Sequence, residues 1–281
     1  MLRLGNVGSS KVKAMKSFFR KIIKFIIFKI LGFIFKQKIN NNDYAIIFRK
    51  ANNSLSISKP IFKFNFHGVY TIHNMDNVIS GDFYKNFCDA VEKYEEREKY
   101  IGLIYRYYLA ANLADAVKGL AGCFVFAGVS FGLCPYMVCK QIESDKRGKN
   151  IYLIDDFKWM SPGREERHVH YCKDQKHVEE RFSEFKNISV NIINGLIPGA
   201  IREIEDELIS FLYLDTTNSP AEIESLPELW KRLSPGGIIL MDDYNLGAGL
   251  SMKQRDEVIH ELGGCVISTF NGQGIVFKPY S

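Results

Sequence analysis

Three aspartates, Asp215, Asp242 and Asp243, directly follow two short apolar runs, Ile209 to Leu214 and Ile238 to Met241. Runs of this kind suit parallel strands covered on both faces, and neighbouring parallel strands end at the same edge of a sheet. The intervening segment reads as a crossover helix. Ser219-Pro220 opens it, Ile223, Leu226, Leu229, Trp230 and Leu233 fall on its inner stripe, and Ser234-Pro235-Gly236-Gly237 ends it. The three carboxylates then share one rim, at the strand ends where ligands bind in open α/β sheets. A lone strand-end aspartate is more often a turn or helix cap; three converging acids favour metal binding or proton transfer.

The elements that must position these acids form a regular series. Strands are expected near residues 123–127, 151–155, 188–193, 209–214 and 237–241, each followed by a helical pattern or a loop. Gly264 to Phe270 and Gly274 to Lys278 flank Asn271-Gly272-Gln273, a turn that suits an antiparallel hairpin. Gly128 and Gly132 follow the first strand and let backbone approach a ligand at the start of the next helix. Asp155, or else Asp156, ends the second strand, where a carboxylate can accept hydrogen bonds from both hydroxyls of a ribose. GxGxxG spacing is absent after the first strand, which argues against a nicotinamide-dependent dehydrogenase.

The stretches RLSPGGIILMDDYN and FLYLDTTNSP closely resemble the fifth and fourth strands of sugar O-methyltransferases of the macrocin O-methyltransferase (TylF-type) family. VFAGVSFG at Val125 to Gly132, YLIDDF at Tyr152 to Phe157 and NIINGLIPGAI at Asn191 to Ile201 follow the same order, so the resemblance covers roughly residues 100 to 281. It implies an α/β, Rossmann-like class I methyltransferase: a mostly parallel seven-stranded sheet with a C-terminal antiparallel hairpin, preceded here by an N-terminal helical extension. It also implies S-adenosylmethionine and Mg2+ as cofactors and a sugar hydroxyl, on a glycan or glycosylated metabolite, as acceptor. Cofactor binding falls to Gly128, Gly132, Asp155, Asp156, Asn194 and Gly195, the last two by resemblance alone. Asp215, Asp242 and Asp243 become metal ligands, with Asp215 also the base, although all three could ligate and a histidine could be the base.

Two departures from the family pattern weaken the implied site. Phe126 stands where the family usually has Glu, and Thr217 stands where it often has a second acid after the fourth strand, so metal binding weaker than in the family is expected. Both favour an alternative, a catalytically degenerate methyltransferase fold acting as a scaffolding partner in a membrane-associated glycan pathway.

Composition agrees with a globular enzyme: 281 residues, 46% of them hydrophobic, can bury a substantial core. Residues 100–281 are expected to form the methyltransferase domain, 41–99 an extension or acceptor-side lid, and 1–40 a basic amphipathic helix. Nine of the 37 Lys and Arg lie between Lys11 and Lys38 with no acid among them. The remainder is slightly acidic, so nucleic-acid binding is not expected. Lysines interrupt that N-terminal segment too often for a membrane span, and its pattern suits peripheral contact of residues 11–38 with anionic lipid, equally a cap on the core. The expected location is cytoplasmic, with peripheral attachment to the membrane face left open, and a homo-oligomer is compatible with the sequence. Six cysteines without a CxxC pair read as reduced packing residues. His168, His170 and Cys172 lack a fourth zinc ligand at suitable spacing.

Overall fold

The computed structural model describes residues 75–93, 103–145, 148–157, 175–216, 219–245 and 249–280, with the backbone of four short strands between residues 47 and 71. The N-terminal helix expected over residues 11–38, the His168-His170-Cys172 run and Thr217 lie outside the described residues. The chain divides into two packed units. The first contains an antiparallel strand pair, Ile47–Ala51 with Ser54–Ser58, in which Ile47 opposes Ser58. Further on lie two short strands, Phe64–Phe66 and Val69–Thr71.

The second unit is built on a seven-stranded sheet: β1 (Cys123–Ala127), β2 (Asn150–Asp155), β3 (Ser189–Asn194), β4 (Ile209–Leu214), β5 (Leu233–Met241), β6 (Val266–Ser268) and β7 (Gly274–Phe277). Its order is β6-β7-β5-β4-β1-β2-β3. The first five strands are parallel, β7 runs antiparallel to β5, and β6 runs antiparallel to β7. This is the Rossmann-like methyltransferase architecture anticipated above. Every residue of β1 and β4 is buried, as strands covered on both faces require.

Among the described residues six helices accompany the sheet, after a single turn at Asp76–Ile79 (α1): α2 (Gly81–Lys93), α3 (Ile104–Val117), α4 (Leu133–Ile142), α5 (Gln175–Phe182), α6 (Ser219–Arg232) and α7 (Gly249–Glu261). One sheet face packs Val125, Ala127, Leu212, Leu214, Ile239 and Met241 against Leu226, Leu229 and Trp230 of α6 and Ile259 of α7. On the opposite face Phe124, Phe126, Phe211 and Tyr213 pack ring against ring. α3 packs on α4, and its Ala110, Ala111 and Ala114 are fully buried, small side chains of the kind that permit close approach of neighbouring elements.

Ser234-Pro235-Gly236-Gly237, read above as the end of the crossover helix, lies inside a strand instead. The helix stops at Arg232 and β5 begins at once at Leu233, and the four residues form a bulge between two points of pairing with β4, Leu233 opposite Ile209 and Ile238 opposite Phe211. Proline without an N–H and glycine at φ 77° fit such a bulge, and the Gly236 amide donates to the Lys278 carbonyl at 2.9 Å.

Candidate active site

The parallel register brings the ends of β1, β2, β4 and β5 to one edge, and with them most of the residues singled out from sequence. Gly128 has φ 88°, and its amide donates to the Ile154 carbonyl at 2.9 Å. A Cβ at this position would lie 2.0 Å from the Asp215 carbonyl oxygen, so only glycine permits the turn. Gly132, at φ 79°, caps the N-terminus of α4. The amide of Asp215 itself donates to the Ala127 carbonyl at 2.8 Å, which ties the glycine loop to the acidic rim.

Asp155 organises that loop. Its Oδ2 accepts the amides of Val129 at 2.7 Å and Ser130 at 2.9 Å, and its Oδ1 accepts the amide of Phe157 at 3.0 Å. A carboxylate offers about four lone-pair sites, so three amides leave room for one further donor rather than the two ribose hydroxyls expected from sequence. Asp156 follows, half-buried. Asn194 pairs with Asp155 across β2 and β3, its side-chain amide donates to Gln175 Oε1 at 2.9 Å, and the Gly195 amide donates to the Asp155 carbonyl at 3.0 Å.

The acids at the ends of β4 and β5 converge: Asp215, Asp242 and Asp243 each bring a carboxylate oxygen within 4.8 Å of the others. Sequence reasoning missed the residue that holds two of them. Arg106 of α3 donates through Nη1 to Asp242 Oδ2 at 2.5 Å and to Asp243 Oδ1 at 2.8 Å, and through Nη2 to the Asn271 carbonyl at 3.1 Å. Gln273, wholly buried, donates to Asp242 Oδ1 at 2.7 Å and accepts from Asn271 Nδ2 at 2.8 Å, and Thr269 donates to Asn271 Oδ1. The only local signal for Arg106 is a single cation inside the mostly apolar stretch IYRYYLAANLADAV.

Electrostatics separate the three carboxylates. Burial, followed by the negative charges of Asp242 and Asp243, pushes Asp215 well above the usual carboxylate range. Burial also raises Asp242, against the pull of Arg106. Burial works against the Arg106 charge, but Asp242 and Asp243 outweigh it and hold the guanidinium proton more firmly than usual. Beneath this layer, burial keeps the Cys134 thiol and Tyr213 phenol neutral, and Tyr213 hydrogen-bonds Asp242.

A second buried cluster adjoins the first. Glu222 of α6 accepts the amide and hydroxyl of Thr216 at 3.1 and 2.8 Å, and its other oxygen takes a short hydrogen bond from Arg255 of α7. The departure at Phe126 also has a structural explanation: the ring is fully buried against Phe211 and Tyr213, in a layer with no place for a carboxylate. A cleft of about 540 Å³ lies at the other edge of the sheet, lined among others by Lys118, Gly122, Lys149, Asn187 and Asp206, away from all of the acids above.

Residues 125–244 match the profile of a methyltransferase domain, a span that starts in β1 and ends just after Asp243. No curated protein matches the sequence. Among solved structures, the O-methyltransferase NovP is similar at 15% identity and a TM-score of 0.52, over 63% of this chain and 80% of that one. The calicheamicin methyltransferase CalS11 is similar at 13% identity and TM-score 0.47, over 73% of this chain and 96% of that one. The O-methyltransferase TomG from Streptomyces achromogenes, involved in tomaymycin synthesis and solved in complex with SAM, is similar at 12% identity and TM-score 0.48, over 72% and 92%. At these identities the likeness is one of fold. The domain match together with the fold supports an enzyme of the methyltransferase class.

Proposed function

We propose that this protein is an S-adenosylmethionine-dependent O-methyltransferase whose acceptor is a hydroxyl group of a sugar. The observation that carries the reading is the meeting, at one sheet edge, of a loop that only glycine can form at residue 128 with the carboxylates of Asp215, Asp242 and Asp243. The loop fits the donor: Gly128 and Gly132 let backbone come close, Asp155 fixes the amides of Val129 and Ser130 and keeps one acceptor site for a ribose hydroxyl, and Asp156, Asn194 and Gly195 border the same space. Bound there, the donor would supply an electrophilic methyl group on a sulfonium centre.

The chain's own work is orientation and proton removal. Asp215 accepts the proton of the acceptor hydroxyl. The acceptor oxygen, freed of its proton, would be the nucleophile toward that methyl group, with the donor's sulfur as the leaving atom that keeps the bond's electron pair. No described residue donates a hydrogen bond to the Asp215 carboxylate, and its raised pKa makes it a better proton acceptor once ionised than an ordinary aspartate. Beside Arg106, the Tyr105 ring stacks on Phe270 with centroids 6.0 Å apart, and Phe270 is 77% exposed. Such a ring pair offers the C–H face of a sugar a flat apolar surface at the rim of the site. The oxygen donors of the three aspartates have the chemistry Mg2+ takes. They do not fit it with Arg106 in place, because both oxygens of Asp242 already accept hydrogen bonds.

A second reading, a methyltransferase fold that binds a partner without catalysis, is favoured by Phe126, which leaves no carboxylate beside the glycine loop on β1. Calorimetric titration with S-adenosylmethionine decides between them. Binding by the wild type that is weakened in Asp155→Ala supports the donor site. Transfer of labelled methyl to a nucleotide-sugar panel should then fall about 10²–10⁴-fold in Asp215→Asn. Absence of binding by the wild type would overturn the enzyme reading. Peripheral membrane contact through residues 11–38 remains a separate proposal, tested by sedimentation with anionic liposomes at low salt. Among the described residues no helix is long and apolar enough to cross a membrane.

A further inference from the structure

The acidic rim already contains a cation. Nη1 of Arg106 sits between Asp242 Oδ2 and Asp243 Oδ1, in the bridging position a divalent ion shared by these two carboxylates would need. Its hold is built rather than incidental. The Arg106 side chain is only 6% exposed, its Nη2 is fixed by the Asn271 carbonyl, and the hairpin turn is shaped to admit it: Gly272 has φ 91°, and a Cβ there would lie 3.3 Å from Nη2. The other oxygen of Asp242 is taken by Gln273, itself wholly buried and held through Asn271 and Thr269. A guanidinium does not lose its proton in a protein, so the charge is permanent. Mg2+ binds carboxylate oxygens at about 2.0–2.1 Å in near-ideal octahedral geometry and could enter only by displacing this side chain.

We propose that Arg106 takes the place of the divalent ion: Asp242 and Asp243 hold a guanidinium, and the protein's chemistry proceeds without a metal. Arg106 is then a positioning residue that fixes the two aspartates beside Asp215 and supplies the positive charge at the rim. The chemical part of this statement rests on the methyltransferase reading; the occupancy of the site does not.

The test uses Mn2+ as a paramagnetic probe on the full chain, without donor or acceptor. The wild type should leave the free-ion resonance unchanged, whereas Arg106→Met, with the rim vacated, should take up one Mn2+ per chain and lose that uptake when Asp242→Asn is added. Mn2+ should also raise the melting temperature of Arg106→Met and not that of the wild type, which keeps the test usable if the variant is poorly folded without metal. Uptake of one Mn2+ per chain by the wild type, abolished by Asp242→Asn, would overturn the proposal, and so would a folded Arg106→Met that takes up none. Failure of the wild type to bind S-adenosylmethionine with these Mn2+ results intact would sink the methyltransferase reading alone.

Discussion

Two buried arginines flank the end of β4, and they do different things. Arg255 pairs with Glu222, both side chains are at most 5% exposed, and the remaining Glu222 oxygen is filled by Thr216. That ion pair is closed to solvent, a clamp between α6 and α7. Arg106 faces two carboxylates with a third close by, and the Asp243 side chain stays 32% exposed. One cation among three acids leaves negative charge unmatched at an edge that solvent and ligands can reach. The first pair is thus a fastening, and the second stands at a reactive edge, where burial and then the negative charges of Asp242 and Asp243 raise the proton affinity of Asp215.

The largest expected effect breaks both clusters in parallel. Arg106→Met and Arg255→Met each strand a buried carboxylate and should each cost about 3–5 kcal/mol of stability, read from urea unfolding midpoints. Divalent ions should restore part of that loss in Arg106→Met and none in Arg255→Met; equal behaviour of the two would erase the distinction drawn here. A smaller effect separates the loop from the rim. Asp155→Ala removes the acceptor of three amides and should weaken S-adenosylmethionine binding about 10–100-fold, the equivalent of about 1.4–2.8 kcal/mol, while leaving metal behaviour unchanged.

The smallest effect is one of pH. A carboxyl group whose folded pKa lies above its unfolded value of about 3.9 keeps its proton in the folded state while the unfolded chain releases it. Wild-type stability should therefore decline as pH rises from that value through the raised pKa of Asp215, and the decline should be shallower in Asp215→Asn. Above that range the variant should melt higher, by about 2–4 °C for each kcal/mol of relieved repulsion. Thermal melts across the pH range check this, and a steeper decline in the variant would contradict it. The clamp sharpens the contrast, since Glu222→Gln should instead lower the melting temperature.

Much of the sheet was legible because its signals are local. Apolar runs bounded by glycines and acids set β1 at residues 123–127 and β4 at 209–214 with the observed limits, and the Asn271-Gly272-Gln273 turn marked the β6–β7 hairpin. Ser234 to Gly237 misled because a Pro-Gly-Gly run has the same composition in a strand bulge as at a helix end, and only pairing with β4 and Lys278 decides between them. Phe126 was visible as a missing acid; that its ring completes an aromatic layer with Phe211 and Tyr213 was not, since those partners lie more than 80 positions away along the chain.

The sequence by itself determined which residues stand at strand ends, because strand period and turn chemistry act over a few neighbours, and so it placed Asp215, Asp242, Asp243, Asp155 and Gly128 along one edge. Only the tertiary structure decided what those acids hold. Arg106 reaches Asp242 across 136 positions of chain, and Arg255 reaches Glu222 across 33. Charge pairing depends on distance and burial in space, which no local pattern encodes.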